Sequence, residues 1–297
     1  MPDLILIPVY RGGRLWLECL ESWKSVAHLI PAWVVSINGA RPESDVDALH
    51  ETGFLDRTNV EILVTRQDLT LPAHLSFITR SSSKIKEESI VNVMFWSCDD
   101  TVHPGNFVDF FSNLSPRYKR SSAVFGEWRT SDAPTDQQRR RKSLWRYFPA
   151  PKETVLRSIR SMQVRPGASS SVTGVVVPRQ GLVDAVNYMS SFKAGVAIEH
   201  VLITHQSVKN ILSCPLPYAT IHYHDNQVQR TTTPSRWRHD ELLYLVWLFR
   251  QNRLIELQQI LYALLKIFKI LVRSPFLTIV LIRTLMYCRV KGTTACR

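Results

Sequence analysis

The sequence predicts an α/β fold in which a mostly parallel sheet is flanked by helices on both faces. Apolar runs typical of buried strands recur between residues 4 and 96, and segments with the apolar spacing of helices lie between them. Polar residues follow the strand ends, where α/β folds bind their ligands. A chain of 297 residues, 45% hydrophobic and 21% charged, excludes disordered, collagen-like and coiled-coil proteins.

Strands and helices alternate at a spacing that fits parallel strands with helical crossovers. In the first part, strands are predicted over residues 4–10, 33–37, 60–64 and 90–96, and helices over 15–26, over 43–52 and from residue 73 onward. The second part is less regular, with strands predicted over 123–126 and 172–177, helices over 182–190 and from Glu199, and an edge strand over 218–223.

Polar side chains after the first, second and fourth strands indicate one binding edge. They are Tyr10, Arg11, Asn38, Asp99 and Asp100. Two adjacent carboxylates at a strand end can chelate a hard divalent cation, which in turn bridges phosphate groups. The alternative is that the double Asp only caps the following helix.

The C-terminal part differs from the rest in charge and hydropathy. Eight of the 12 net positive charges lie in residues 234–297, which combine long apolar stretches with spaced Lys and Arg. We predict a domain over residues 1–233 and a basic, apolar helical extension over 234–297. Residues 240–291 are expected to lie on a membrane surface, the alternative being a helical cap. The uncharged runs are too short for a membrane-spanning helix.

Cysteine usage and the N-terminal residues indicate a cytoplasmic protein. The five cysteines form no CxxC pair, so neither a zinc site nor a disulfide framework follows. The first residues lack a signal-peptide pattern. Nucleic acid is not expected as a partner, because no finger, RNP-like strand or base-reading basic helix is found. The expected location is the cytoplasmic, inner face of the plasma membrane, with peripheral attachment.

Five segments, in order, resemble the inverting GT-A glycosyltransferases of family 2. They are LILIPVYRGGRLWLECLESW, WVVSINGA, FWSCDDTVHP, SSVTGVVVPRQGL and AIEHVL. They resemble, respectively, the opening strand and helix, the second-strand motif, the metal motif, the acceptor-side segment ending in an Arg, and the Glu-Asp pair at a helix start. The order and spacing hold over about residues 3 to 230.

The resemblance implies a GT-A, Rossmann-like fold and the transfer of a sugar from a nucleotide-diphosphate donor to an acceptor hydroxyl. The nucleotide-binding residues it implies are Pro8, Val9, Tyr10, Arg11, Asn38 and Asp99. Mn²⁺ or Mg²⁺ is the implied cofactor, held by Asp99, Asp100 and His224. Either Glu199 or His200 is the general base. Contacts to the acceptor or diphosphate are expected from Arg140, Arg179 and His222.

Together with the basic tail, the resemblance implies a glycan acceptor, lipid-linked, in surface polysaccharide synthesis. Ser97 and Ile37 stand where the family has Asp, which leaves open a non-catalytic nucleotide-sugar-binding module derived from a glycosyltransferase. A nucleotidyltransferase is a third alternative. His222 and His224 also fit a polar surface, and Glu199 fits an ordinary helix N-terminus.

Overall fold

The structure is a computed structural model, and it describes nine stretches of the chain: residues 1–55, 59–113, 122–130, 154–155, 173–193, 198–208, 210–222, 233–251 and 257–283. All structural statements below concern these residues.

One mixed sheet forms the centre of the molecule. Within the described residues its strands, β1 to β9, are Leu4–Tyr10, Ala32–Asn38, Val60–Thr65, Asn92–Phe95, Thr101–Val102, Ser122–Thr130, Thr154–Val155, Val175–Pro178 and Asn210–Ile221. Their spatial order is β3-β2-β1-β4-β8-β6-β9-β5, and β7 also pairs with β9. The mostly parallel sheet predicted from the sequence is thus confirmed.

Helices lie on both faces of this sheet. The α-helices α1 to α8 are Gly13–Trp23, Glu43–Glu51, Leu71–Ser81, Pro104–Asn113, Arg179–Met189, Ile198–Ile203, Pro234–Arg250 and Leu257–Arg273. A last helix covers residues 277–283. Short 3₁₀ helices occur at Ala27–Leu29 and Lys84–Lys86. None of the helices described is long and apolar enough to cross a membrane.

Strand direction defines two edges of the sheet. β1 to β4 are parallel, with Tyr10 opposite Asn38 in the register of β1 and β2. Their C-terminal ends form what we call the carboxyl edge, and their beginnings form the amino edge. β8 is antiparallel to β4, because Val175 pairs with Phe95 and Pro178 with Asn92. The chain therefore leaves β8 at the amino edge.

The edge strand predicted over 218–223 is wrong in position and length. It is the end of β9, a strand of 12 residues that pairs with β6 on one side and with β5 and β7 on the other. β9 is therefore an interior strand, and its last residues reach β5, directly after the Asp99-Asp100 pair.

The core consists of two layers, one on each face of the sheet. Alternate residues of β1 divide between them: Leu4 and Leu6 pack with α3, α5, α6 and α7, and Ile5 and Ile7 pack with α1 and α4. In the second layer the Trp23 ring meets three other aromatic rings nearly edge to face. The centroid distances are 5.1 Å to Trp33, 4.8 Å to Trp96 and 5.1 Å to Phe107.

The helix α7 belongs to the domain core. Its residues Leu242 to Leu248 are buried in the first layer, and Leu243 accepts a hydrogen bond at its carbonyl from the Tyr188 hydroxyl of α5, at 2.7 Å. The exposed apolar residues of the predicted extension are concentrated in α8 and beyond. The packing is therefore continuous across the predicted boundary between residues 233 and 234.

Candidate active site

The carboxyl edge brings together the residues that follow β1, β2 and β4. Tyr10 and Asn38 end adjacent strands, and the backbone N–H of Trp96 donates to the Leu6 carbonyl at 2.9 Å, so the segment from Ser97 to Asp100 leaves the sheet beside β1. This edge is where parallel α/β sheets bind ligands. The structure thus confirms the shared edge expected from the sequence.

Asp100 is a buried structural carboxyl group. Its Oδ1 accepts a hydrogen bond from the backbone N–H of His222 at 3.0 Å, and its Oδ2 accepts one from the Thr173 hydroxyl. Burial and then the charge of Asp99 raise its pKa well above 3.8, against the lowering effect of these two hydrogen bonds. The metal-binding role expected for Asp100 stays a prediction: in the structure both oxygens accept hydrogen bonds within the protein and the side chain is 2% exposed.

Asp99 is the half-buried carboxylate of the pair. It lies close enough to Cys98 and Asp100 for its charge to raise the pKa of both groups. Among the residues described, no three His, Cys, Asp or Glu side chains cluster as a preformed metal site. A single accessible carboxylate fits Mg²⁺ or Mn²⁺ that is shared with the phosphates of a bound nucleotide.

The two cysteines near this carboxylate are not activated nucleophiles. Burial, followed by the charge of Asp99, raises the pKa of the Cys98 thiol, and burial raises that of Cys19. Both groups are therefore thiols at neutral pH. Covalent transfer through a cysteine does not fit this site.

The loop after β1 has an unusual backbone at its exposed arginine. Arg11 has a φ of 52°, in the left-handed region that non-glycine residues rarely adopt. Its guanidinium carbon lies 5.0 Å from the Tyr10 ring centroid, and its Nη2 lies 3.6 Å from Asp68 Oδ2. Because this ion pair is exposed, it holds the side chain only weakly, and the guanidinium is available to an anion.

Asp45 is a site residue that the sequence analysis missed. It is buried in the first turn of α2, and its two carboxylate oxygens lie 3.4 Å from the backbone nitrogens of Gly12 and Gly13. Its carbonyl accepts a hydrogen bond from Trp16 Nε1 at 3.0 Å. Asp45 therefore fixes the loop that carries Arg11. In the sequence it resembles an ordinary acidic residue at a helix start.

Asn38 positions a loop through its side-chain amide. Its Nδ2 donates to the Leu69 carbonyl at 2.8 Å, and its Oδ1 accepts from the Leu69 N–H at 3.1 Å. The nucleotide contact expected of Asn38 stays a prediction; in the structure its amide makes these two hydrogen bonds. The side chains of Pro8 and Val9 are also buried, so of the predicted residues in and directly after β1 only Tyr10 and Arg11 present exposed side chains to a nucleotide.

His222 lies at the site, immediately after β9. Besides its backbone bond to Asp100, its Nε2 is 3.3 Å from the Thr101 hydroxyl. The neighbouring His103 makes a similar contact, with Nε2 2.7 Å from the Thr220 hydroxyl. His222 is half-buried, which is compatible with the predicted contact to a diphosphate.

Arg179 lies at the amino edge, away from this site. It follows Pro178, the residue of β8 that pairs with the first residue of β4, and its Nη1 donates to the carbonyls of Ile85 and Lys86 at 3.2 and 3.3 Å. The structure therefore does not bring Arg179 to the carboxyl edge, because β8 is antiparallel to β4. Its expected contact to an acceptor or diphosphate stays a prediction.

The remaining predicted residues are described only in part. Glu199 and His200 are in the first turn of α6, but their side chains lie outside what the structure describes. Because His205, just after α6, lies 3.2 Å from Asp184 in the first half of α5, α6 runs back from the end of α5 toward the amino edge. Arg140 and His224 both lie outside the described residues.

Comparison with known proteins identifies the fold. No family model and no curated protein sequence matches the chain. Among solved structures, residues 1–349 of S. aureus TarS, a GT-A glycosyltransferase, match with a TM-score of 0.57 and 11% identity, covering 92% of this chain and 72% of that one. The same protein in complex with UDP-GlcNAc matches equally well, with 73% of that chain covered.

A second neighbour is the mannosyltransferase PcManGT from Pyrobaculum calidifontis in complex with GDP-Man and Mn²⁺. It matches with a TM-score of 0.54 and 11% identity, covering 84% of this chain and 64% of that one. These similarities show that the chain has a GT-A-like glycosyltransferase fold.

Proposed function

We propose that this protein transfers a sugar from a nucleotide-diphosphate donor to an acceptor hydroxyl, with inversion at the anomeric carbon. The observation that carries the proposal is the position of Asp99, an accessible carboxylate at the carboxyl edge of a GT-A-like sheet, next to Cys98, which hydrogen-bonds with the backbone of Tyr10 before Arg11. In solved structures of this fold class, TarS binds UDP-GlcNAc and PcManGT binds GDP-Man with Mn²⁺.

In this proposal each side chain has a defined task. Asp99 would hold a divalent metal ion at the diphosphate end of the donor, and that ion would neutralise the charge developing on the leaving group. Arg11 adds a positive charge at the same end, and Tyr10 contacts the nucleotide. Asp100, Asp45 and Asn38 keep the three loops of the carboxyl edge in place through the hydrogen bonds described above.

The transfer itself needs one base and no covalent intermediate. The acceptor oxygen attacks the anomeric carbon opposite the diphosphate, the carbon–oxygen bond to the diphosphate breaks, and the acceptor proton passes to the base. Glu199 or His200, in the first turn of α6, takes that proton. The two are distinguished by a pH profile, because a carboxylate stays active to lower pH than an imidazole.

The acceptor is proposed to be a glycan, lipid-linked, in surface polysaccharide synthesis, with the enzyme peripheral on the cytoplasmic face of the plasma membrane. Support comes from the excess positive charge of residues 234–297 and from the exposed apolar residues of α8. Arg140 and His224 stay predictions for the diphosphate and the metal.

The test is hydrolysis of a panel of nucleotide sugars with Mn²⁺, with Mg²⁺ and with EDTA. We expect one donor to be hydrolysed in a metal-dependent reaction, and Asp99→Asn to lower the rate by about 100-fold or more. Asp47→Asn is the matched control, because Asp47 is an exposed carboxylate of α2. Equal loss in both variants, or full activity in Asp99→Asn, would contradict the proposed role of Asp99.

A non-catalytic nucleotide-sugar-binding module is the second candidate. This second function is favoured by Ser97, because a neutral side chain stands there at the start of the segment that carries Asp99. Calorimetric binding of one nucleotide sugar, equal in EDTA and in Mn²⁺ and without turnover when glycan acceptors are added, would support this function over catalysis.

A further inference from the structure

The last two helices present an exposed apolar surface that the fold does not cover. Six side chains, each at least half exposed, define what we call the apolar strip: Leu261, Leu265, Phe268, Val272, Phe276 and Ile279. Leu261, Leu265, Phe268 and Val272 recur at the period of a helix, so they fall on one side of α8. Phe276 and Ile279 follow in the turn and in the helix after it. A succession of exposed apolar side chains of this length indicates an interaction surface.

The opposite side of the same helices packs on the domain. Ala263, Ile270 and Leu277 are buried in the first core layer, and Lys266 pairs with Glu241 of α7. The helix is therefore held in place, with its apolar strip turned to solvent. The exposure of the strip is a property of the fold, because the packing of the buried side determines which residues face solvent.

The charged residues around the strip indicate which kind of partner binds to it. Lys269, Arg273 and Arg283 are exposed around it, and the sequence has no Asp or Glu after Glu256. A second copy of the chain docked strip to strip would bring these like charges together without acidic partners. Apolar side chains flanked by cations instead match the interface of a bilayer that contains anionic lipids.

The strip also extends to the edge of the sheet that carries the candidate site. α5 starts at the amino edge, so the residues after its C-terminal end, including Lys193, lie toward the carboxyl edge. The Lys193 N–H donates to Asp240 of α7 at 2.8 Å. Two residues earlier in α7, Arg238 Nη1 lies 3.4 Å from the carbonyl of Arg273, so α8 ends near the carboxyl edge.

We infer that the apolar strip docks the protein on an anionic bilayer surface, with the candidate site held next to that surface. The second half of this inference rests on the proposed function. Docking would raise the effective concentration of an acceptor anchored in the same bilayer, without any new contact to the sugar donor.

Sedimentation of the full chain with vesicles tests the docking. We expect binding to vesicles of equimolar phosphatidylcholine and phosphatidylglycerol, weaker in high salt, and about tenfold or greater loss of binding for the double variant Leu265→Glu/Phe268→Glu. The control is Leu29→Glu, which places the same charge at an exposed apolar residue far from the strip in sequence. The control should bind as the wild type does.

Three results would overturn the docking inference. They are equal binding to vesicles of phosphatidylcholine alone, equal loss of binding in the control, and self-association of the chain through the strip with no vesicle binding. Circular dichroism of the double variant checks that it is folded. A second variant, Val272→Glu, introduces only one charge at the strip.

Donor hydrolysis without vesicles separates this inference from the proposed function. If the double variant hydrolyses donor as the wild type does but loses vesicle binding, both are supported. If the wild type binds anionic vesicles but hydrolyses no donor, docking stands and the proposed transfer fails. If hydrolysis occurs without any vesicle binding, the transfer stands and docking fails.

Discussion

The Thr173 hydroxyl donates a hydrogen bond to Oδ2 of Asp100, a residue 73 positions earlier in the chain. Asp100 accepts a second bond from the backbone of His222. One buried carboxyl group thereby connects the segment after β4 with the turn before β8 and with the end of β9. The position of Asp99, the residue directly before Asp100, depends on this connection.

Thr173→Val should destabilise the protein. The variant leaves a buried carboxyl oxygen without its donor, which should lower the free energy of unfolding by about 1–3 kcal/mol. Thr173→Ser keeps the hydroxyl and is the matched control. Urea denaturation measures both. Equal stability of the Val and Ser variants would show that the hydrogen bond contributes nothing.

Asp45→Ala should weaken donor binding more than it changes turnover of bound donor. Without its carboxylate, the Gly12 and Gly13 amides lose their acceptor and the loop of Arg11 is no longer fixed. We expect KM for the donor to rise by about tenfold, the effect of one charge-assisted hydrogen bond, with a smaller change in kcat. Asp47→Ala, in the same helix but exposed, should change neither constant.

Arg11→Ala should affect the donor and leave the fold intact. Its ion pair with Asp68 is exposed, so the free energy of unfolding should change by less than about 1 kcal/mol. Donor affinity, measured by calorimetry, should fall by about tenfold because a charge at the diphosphate is lost. Comparable loss in Arg14→Ala, a neighbouring exposed arginine, would point to overall charge as the cause.

Acidic pH should destabilise the protein through His74. Burial lowers its pKa from 6.5 to about 4, and its Nε2 lies 2.8 Å from the Ser36 hydroxyl. Between these pH values the unfolded chain binds the proton and the folded protein does not, so stability falls as pH falls, by about 3 kcal/mol across the window. His74→Gln should remove this component of the pH dependence.

Urea midpoints measured from pH 7 to pH 4 test that prediction. His28→Gln is the control, because His28 is exposed. It should keep the wild-type pH dependence. If His74→Gln retains the full acid destabilisation, the loss of stability comes from other groups.

Local sequence patterns were sufficient for the strands that build the carboxyl edge. β1 and β2 are continuous apolar runs with polar residues directly after them, and this pattern alone places Tyr10 and Asn38 at strand ends. Asp99 follows β4 for the same reason. The periodicity also predicts α1, because its apolar residues recur at helical spacing, and α2 is predicted as a polar helix over residues 43–52.

Direction and long-range contacts could not be predicted in the same way. An apolar run such as β8 carries no information about the direction in which the strand crosses the sheet. Arg179 was therefore expected at the carboxyl edge, whereas it lies at the amino edge. β9 was recognised only at its end, since Pro215 and Pro217 interrupt the strand pattern. Opposite them the pairing with β6 shifts in register at Glu127, which accommodates the irregularity.

The sequence also could not predict which polar groups hydrogen-bond with one another in the fold. Asp45 contacts the Gly12 amide, and Asn38 hydrogen-bonds with the Leu69 backbone. Each contact joins segments about 30 residues apart, and no local sequence pattern predicts it. Each of these residues is of a type that is common at a helix or strand end. Their roles appear only when the three-dimensional neighbours are known.

The rings around Trp23 give the molecule a built-in optical reporter. Trp16, Trp23, Trp33 and Trp96 are all fully buried in the core layer of α1 and α4, whereas the other layer contains Trp247. The fluorescence of these four tryptophans, half of the eight in the sequence, therefore reports on one face of the sheet, while far-ultraviolet circular dichroism reports on helices of both. Coincident transitions of the two signals would show that both faces unfold as one cooperative unit.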